Sequence, residues 1–164
     1  MIFEPFEILT LLHAAGVEHV VVGGMAGLLH RSSVLTQDLD IVHRRTPENV
    51  ARLMAVVEQM DAFFRNDLAR RKLRPRASDF AGRGQILLMT PHGKFDVLCE
   101  VGEGGGLGYE ELLPRSIEME ERGLRLRVLD LPALIRLKTE AGRPKDKLAV
   151  PVLIAALEER NRRG

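Results

Sequence analysis

The sequence predicts an α/β sandwich built on a mixed β-sheet. Its first half alternates helical and strand-like patterns, and its second half carries two hairpin-like pairs followed by two helices. Val20, Val21 and Val22 form a continuous apolar run of the kind buried on both faces inside a sheet. With 164 residues, 45% hydrophobic and 29% charged, the chain is large enough to bury one such core. Residues 1–164 are therefore expected to form a single domain, with the core over about 17–130 and a C-terminal helical segment over about 131–164.

Taken in order, Phe6, Ile8, Leu9, Leu11, Leu12 and Ala15 recur at helical spacing, and Gly16 is placed to end that helix. Val17 to Gly24 follows as a strand. Met25 to His30 reads as a short helix that starts at the glycines, Ser32, Ser33, Thr36 and Gln37 as a polar connection, and Leu39 to His43 as the second strand. Thr46 and Pro47 make a helix start, after which Val50, Leu53, Met54, Val57 and Met60 repeat as one buried face. Gln85 to Met89 and Lys94 to Glu100 are strand-like around the turn Thr90-Pro91-His92-Gly93. The glycine-rich run from Gly102 to Gly108 should be a mobile loop. Ser116 to Glu121 and Leu124 to Leu129 alternate around Arg122-Gly123 as a further hairpin, and Leu131 to Ala141 and Lys145 to Arg160 read as the closing helices. Residues 61–84 fit no pattern.

Composition removes several function classes. With 24 basic and 23 acidic residues the formal charge is +1, so no global field draws the protein onto nucleic acid. The most basic stretch holds Arg65, Arg70, Arg71, Lys72, Arg74, Arg76 and Arg83, and reads either as a solvated surface or as an RNA-facing patch. Cys99 is the only cysteine, which leaves no internal disulfide and no cysteine zinc site, and the five histidines lack metal-ligand spacing. Apolar runs are too short to span a membrane, and the amino terminus lacks the features of a secretory signal. A cytoplasmic protein with no membrane partner is expected.

The chemistry is concentrated in VVVGGMAGLLHRSSVLTQDLDIV, residues 20–42. On a strand, Asp38 and Asp40 project to one side, about 7 Å apart, while Leu39 and Ile41 face the core. Two carboxylates so close repel unless they share a cation, and hard oxygen donors with open positions suit Mg²⁺ or Mn²⁺ held jointly with substrate phosphates. Asp96, alternating with Phe95 and Val97, is placed as a third ligand by the same logic. Gly23 and Gly24, between a strand and a helix, put backbone N–H groups where phosphate oxygens can approach. Plainer roles compete: Asp38 as a turn cap with Asp40 paired to an arginine, Asp96 on an exposed sheet face, and the glycines as a tight turn. Arg31 and Thr36 flank the aspartates and can touch phosphate or hold the connecting loop.

Val22-Gly23-Gly24, a thirteen-residue spacer and Asp38-Leu39-Asp40, with Asp96 later, resemble the nucleotidyltransferase superfamily of the DNA polymerase β type. Leu134-Ile135-Arg136-Leu137-Lys138 and Gly142-Arg143-Pro144-Lys145-Asp146 look like the closing helices of small bacterial members related to the AbiEii toxins. This resemblance implies a polymerase-β-like fold and transfer of a nucleoside monophosphate from an NTP to an acceptor, which could be RNA or tRNA, a protein or a small molecule. It implies catalytic and metal-binding Asp38, Asp40 and Asp96, and Lys138 reaching the triphosphate rather than serving as an ordinary solvated helix lysine. It also implies an antitoxin partner within a toxin–antitoxin system. Arg143 and Asp146 either meet substrate or pair across their own turn. The rival reading is a non-catalytic nucleotide-binding or RNA- or protein-interaction module that keeps the fold.

Overall fold

A computed structural model describes residues 2–164. The chain begins with α1 (Pro5–Ala14), which starts on a proline at a position where no amide donor is needed and ends where Gly16 takes φ +72°. β1 (His19–Val22) runs without a loop into α2 (Gly23–Leu29). The expected strand is therefore shorter, because Gly23 and Gly24 belong to the helix. β2 (Asp38–His43) leads to α3 (Pro47–Gln59), whose Thr46 cap accepts a hydrogen bond from the Asn49 amide at 3.3 Å.

The unread segment contains β3 (Phe63–Phe64) and α4 (Ala77–Phe80). β4 (Gln85–Thr90) and β5 (Gly93–Leu98) form the expected hairpin. The glycine-rich run is a loop closed by a Val101–Leu107 bridge, with the Gly106 amide donating to Glu100 at 3.0 Å. α5 (Tyr109–Leu112) and a 3-10 turn precede β6 (Ser116–Glu121) and β7 (Leu124–Leu129), which pair as the second hairpin. α6 (Leu131–Ala141), capped by Asp130 accepting from the Ala133 amide at 2.8 Å, ends on Gly142 at φ +62°. α7 (Pro144–Arg163) closes the chain and carries Pro151 on an exposed turn.

The strands make one mixed sheet in the order β3-β4-β5-β2-β1-β7-β6. Parallel pairing joins β2 to β5 and β1 to β7, and the other neighbours are antiparallel. Helices flank it on both faces. One face presents Leu39, Ile41, His43, Phe95 and Val97, all buried; the His43 ring bonds the Phe80 carbonyl of α4, which packs on α3. The other face presents Asp38, Asp40 and Asp96, and there α2 packs on β2, α6 on α2 and α7 on α6. Among the described residues, no helix is long and apolar enough to cross a membrane.

Candidate active site

Register brings the three aspartates together. Asp40 is level with Asp96 across the parallel β2–β5 pair and with Val22, the last residue of β1, on its other side. The carboxylates of Asp38, Asp40 and Asp96 each offer an oxygen, and those oxygens lie within 4.8 Å of one another. A strand's two-residue period and a parallel neighbour in register are sufficient to build this cluster.

Burial makes the cluster electrostatically unfavourable on its own. Loss of water around Asp40, then the charges of Asp96 and Asp38, push its carboxyl up from the ordinary 3.8 to about 7, opposed by the positive charge of Lys145. Its Oδ1 is buried and meets no hydrogen-bond partner in the protein. Hard oxygen donors converging from three carboxylates, one with a buried oxygen unpartnered, are the donor set that a Mg²⁺ or Mn²⁺ ion satisfies. The residues fit a divalent cation.

Asp96 is paired from the opposite direction. Arg65, directly after β3, reaches across β4 and places its guanidinium on Asp96 Oδ1 while donating to the Leu88 carbonyl at 2.9 Å. No individual role for Arg65 is legible in the sequence; an edge strand of two residues shows no period, and no local pattern links it to a residue 31 positions away.

The glycine pair is required by close packing. Gly23 has φ +66°, and a Cβ there would strike the Asp40 carboxylate, with Cγ at 3.1 Å. At Gly24 a Cβ would lie 2.6 Å from Thr36 Cβ. Thr36 is thus brought against the site: its hydroxyl donates to the Asp38 carbonyl at 3.1 Å, which fixes the entry into β2. Gly24→Ala is expected to lower stability by about 1–3 kcal/mol in urea titration, since Thr36 must move. Gly23→Ala should cost a similar amount and also weaken Mn²⁺ binding through Asp40; unchanged stability and metal affinity in both variants would contradict this packing.

Arg31 is not brought to the aspartates. It sits at φ +66° beyond the far end of α2 and donates to Glu121 at 2.9 Å. Val21 is level with Val128, so Leu124 and the adjoining turn lie four residues back along β7, roughly 13 Å from the site end. Nearness in sequence to the aspartates did not become nearness in space.

Lys138 is not an ordinary solvated lysine. Its side chain is 14% exposed and its ammonium lies 3.5 Å from Asp146, which is wholly buried. Arg143 donates to the same carboxylate at 2.7 Å, and the Arg143 amide does so at 3.2 Å. Both residues at the α6–α7 turn therefore pair with each other, as the plainer expectation held. The turn also faces the aspartates closely enough for the charges of Asp40 and Arg143 to influence each other, and that of Lys145 to act on Asp40. Lys145 carried no expected role.

No protein-family model matches this chain, and neither does any curated protein sequence. Solved structures share its fold. The lincomycin-bound lincosamide antibiotic adenylyltransferase LnuA aligns at a TM-score of 0.63 with 11% identity, over 93% of this chain and 95% of that one. The antibiotic-resistance factor ANT(2'')-Ia aligns at 0.59 with 16% identity, over 93% and 82%. A Thermotoga maritima protein assigned as a candidate nucleotidyltransferase aligns at 0.56 with 15% identity, over 92% and 93%. The mixed sheet flanked by helices is thus the fold of nucleotidyltransferases. At such identities the likeness concerns the fold, and chemistry must be argued from the site.

Proposed function

We propose that this protein transfers a nucleoside monophosphate from an NTP to an acceptor hydroxyl, using Mg²⁺ or Mn²⁺. The observation that carries the proposal is the convergence of Asp38, Asp40 and Asp96 beside the Gly23-Gly24 turn, with Asp40 Oδ1 buried and unpartnered.

Asp38, Asp40 and Asp96 would hold the metal, which would supply positive charge to the phosphates. In the transfer the acceptor oxygen bonds to the α-phosphorus, the α–β bridging P–O bond breaks, and pyrophosphate leaves. Asp96 orients the acceptor hydroxyl and takes its proton. Backbone amides at Gly23 and Gly24 approach the phosphates, a role compatible with their packing, and Thr36 fixes the loop beside them. Lys138 and Arg143, held on Asp146, and Lys145 supply positive charge from the α6–α7 turn. Arg31 has no part in this site. The tail that forms α6, the turn and α7 is the part resembling AbiEii-type proteins, and an antitoxin partner remains an implication of that resemblance alone.

The pairing of Arg65 with Asp96 favours a second reading, a module that binds NTP without transferring it, because one carboxylate already has a cation. Pyrophosphate release separates the two. Labelled ATP, GTP, CTP and UTP are offered with Mg²⁺ or Mn²⁺, in the presence of total RNA, protein extract or small-molecule extract. Metal-dependent pyrophosphate release with label entering one pool supports transfer. Metal-dependent NTP binding with no release and no labelled pool would replace transfer by the binding module.

A further inference from the structure

Asp40, Asp96, Leu87 and Arg65 occupy one row across neighbouring strands. Asp40 is level with Asp96 and Asp96 with Leu87, and the Arg65 amide donates to the Leu87 carbonyl at 3.1 Å, which continues the β3–β4 ladder by one residue. Opposed residues share a face, so Arg65 starts on the side of the aspartates, two inter-strand spacings or roughly 10 Å from Asp96. Its side chain returns over Leu87, and the guanidinium meets both Asp96 Oδ1 and the Leu88 carbonyl.

This pair differs from the others in the basic segment. The Arg65 and Asp96 side chains are 16% and 9% exposed, whereas Arg71, Arg74 and Arg83 are 63%, 60% and 74% exposed in their own pairs. A guanidinium withdrawn from water stays on its carboxylate, because separation would leave a buried charge alone on each side. Among the described residues, Asp96 is the one carboxylate of the cluster with a cation at ion-pair distance, and Asp40 keeps a buried oxygen with no partner. Ionised, Asp38, Asp40 and Asp96 carry three negative charges; Arg65 cancels one, and a single divalent cation cancels the other two.

We propose that Arg65 is a positioning residue that takes the place of a second metal ion on Asp96, so that the nucleotide-free chain binds one divalent cation and Asp96 presents its remaining oxygen to the site. This rests on the nucleotidyl-transfer reading. The planar fork of Arg65 fastens Asp96 Oδ1 to the Leu88 carbonyl of the neighbouring strand, a fixed orientation that a compact ammonium does not impose. The oxygen left free meets the acceptor hydroxyl and receives its proton as the acceptor oxygen bonds to the α-phosphorus and pyrophosphate leaves. A purely structural pair would fasten β3 to the sheet and leave the metal count alone.

Mn²⁺ binding to the nucleotide-free chain, read by electron paramagnetic resonance, tests the count. Wild-type protein should hold one tightly bound Mn²⁺ per chain. Arg65→Met, which keeps the stem and removes the charge, should admit a second; Arg65→Lys, which restores the charge without the fork, should return to one. Should Arg65→Met lose cooperative unfolding, Arg65→Gln, whose amide can still donate to the Leu88 carbonyl, replaces it with the same expectation. Pyrophosphate release from ATP, with whichever of total RNA, protein extract or small-molecule extract takes label, tests the orientation. Both Arg65→Met and Arg65→Lys should lose roughly 10- to 100-fold, in kcat rather than in the KM for ATP. Two tightly bound ions on the nucleotide-free wild type overturn the inference. So does a fall in stability of Arg65→Met with one ion bound and kcat unmoved, which reduces the pair to a fastening of β3 and leaves transfer intact. A second ion on Arg65→Met with no pyrophosphate release from any chain, wild type included, overturns the transfer reading instead, and with it the orienting of an acceptor.

Discussion

Asp40→Asn is expected to stabilise the metal-free protein at pH 8 while lowering nucleotidyl transfer by on the order of 10³-fold or more. The stability half follows from the raised carboxyl. In the unfolded chain Asp40 titrates at its ordinary value of 3.8, whereas in the fold burial and the neighbouring aspartates push it to about 7. Between those values the folded state holds a proton that the unfolded state has lost, so stability falls as pH rises, by about 1.4 kcal/mol per unit for this group. Its favourable contribution is complete below the unfolded value and gone above the folded one. Discounting for relaxation and water entry, wild-type protein should lose about 1–3 kcal/mol from this source between pH 5 and pH 8, and Asp40→Asn should lose none of it. Mg²⁺ at pH 8 should restore stability to the wild type and do little for the variant, because a ligand stabilises only the state that binds it. Thermal unfolding at both pH values, with and without Mg²⁺, reads all of this. Parallel pH profiles for the two proteins would remove the strained carboxylate.

What the sequence disclosed and what it hid divide along a physical line. Asp38, Asp40 and the glycine pair were readable because their geometry is local: a strand's period sets one, and a strand-to-helix junction sets the other. Asp96 was readable for the same reason, although the register that brings it level with Asp40 depends on parallel pairing that no local pattern encodes. Arg65 was hidden because its meaning lies in a contact across β4 from an edge strand too short to show alternation. The basic segment stayed open between a solvated surface and an RNA-facing patch because charge was visible and pairing was not; Asp61, Asp67, Asp96 and Glu100 neutralise much of it. Arg31 shows the reverse error, since a left-handed residue at the end of α2 turns the chain toward Glu121 and away from the aspartates. The hairpins and the capped α3 followed from turn and cap chemistry, and α6 and α7 lie where two final helices were expected, with end points shifted by a few residues.

Asp146 carries the second large effect, because it is the shared partner of Lys138 and Arg143. Asp146 is wholly buried between Lys138 and Arg143. Burial alone would raise its carboxyl, but the hydrogen bond and charge of Arg143 and the charge of Lys138 outweigh it and hold the carboxyl below its ordinary value. Removing the carboxylate leaves both cations without their shared partner at the α6–α7 turn. Asp146→Ala is therefore expected to destabilise by about 1–3 kcal/mol, the cost of losing the hydrogen bonds that close the turn, because the Arg143 guanidinium, 60% exposed, can return to water. Lys138→Ala should cost less, since Arg143 still satisfies Asp146, and Lys138→Met, which keeps the stem and removes the charge, less again. The pH dependence has the opposite sign to that of Asp40: a depressed carboxyl contributes stability above its unfolded value, and that contribution is lost as pH falls through the folded one. Urea titrations at pH 7 and in the acid range should show wild type converging on Asp146→Ala as acid removes the charge. If Asp146→Ala is as stable as wild type at pH 7, the turn is not held by this carboxylate, and Lys138, Arg143 and Lys145 lose the support that places their charge beside the aspartates.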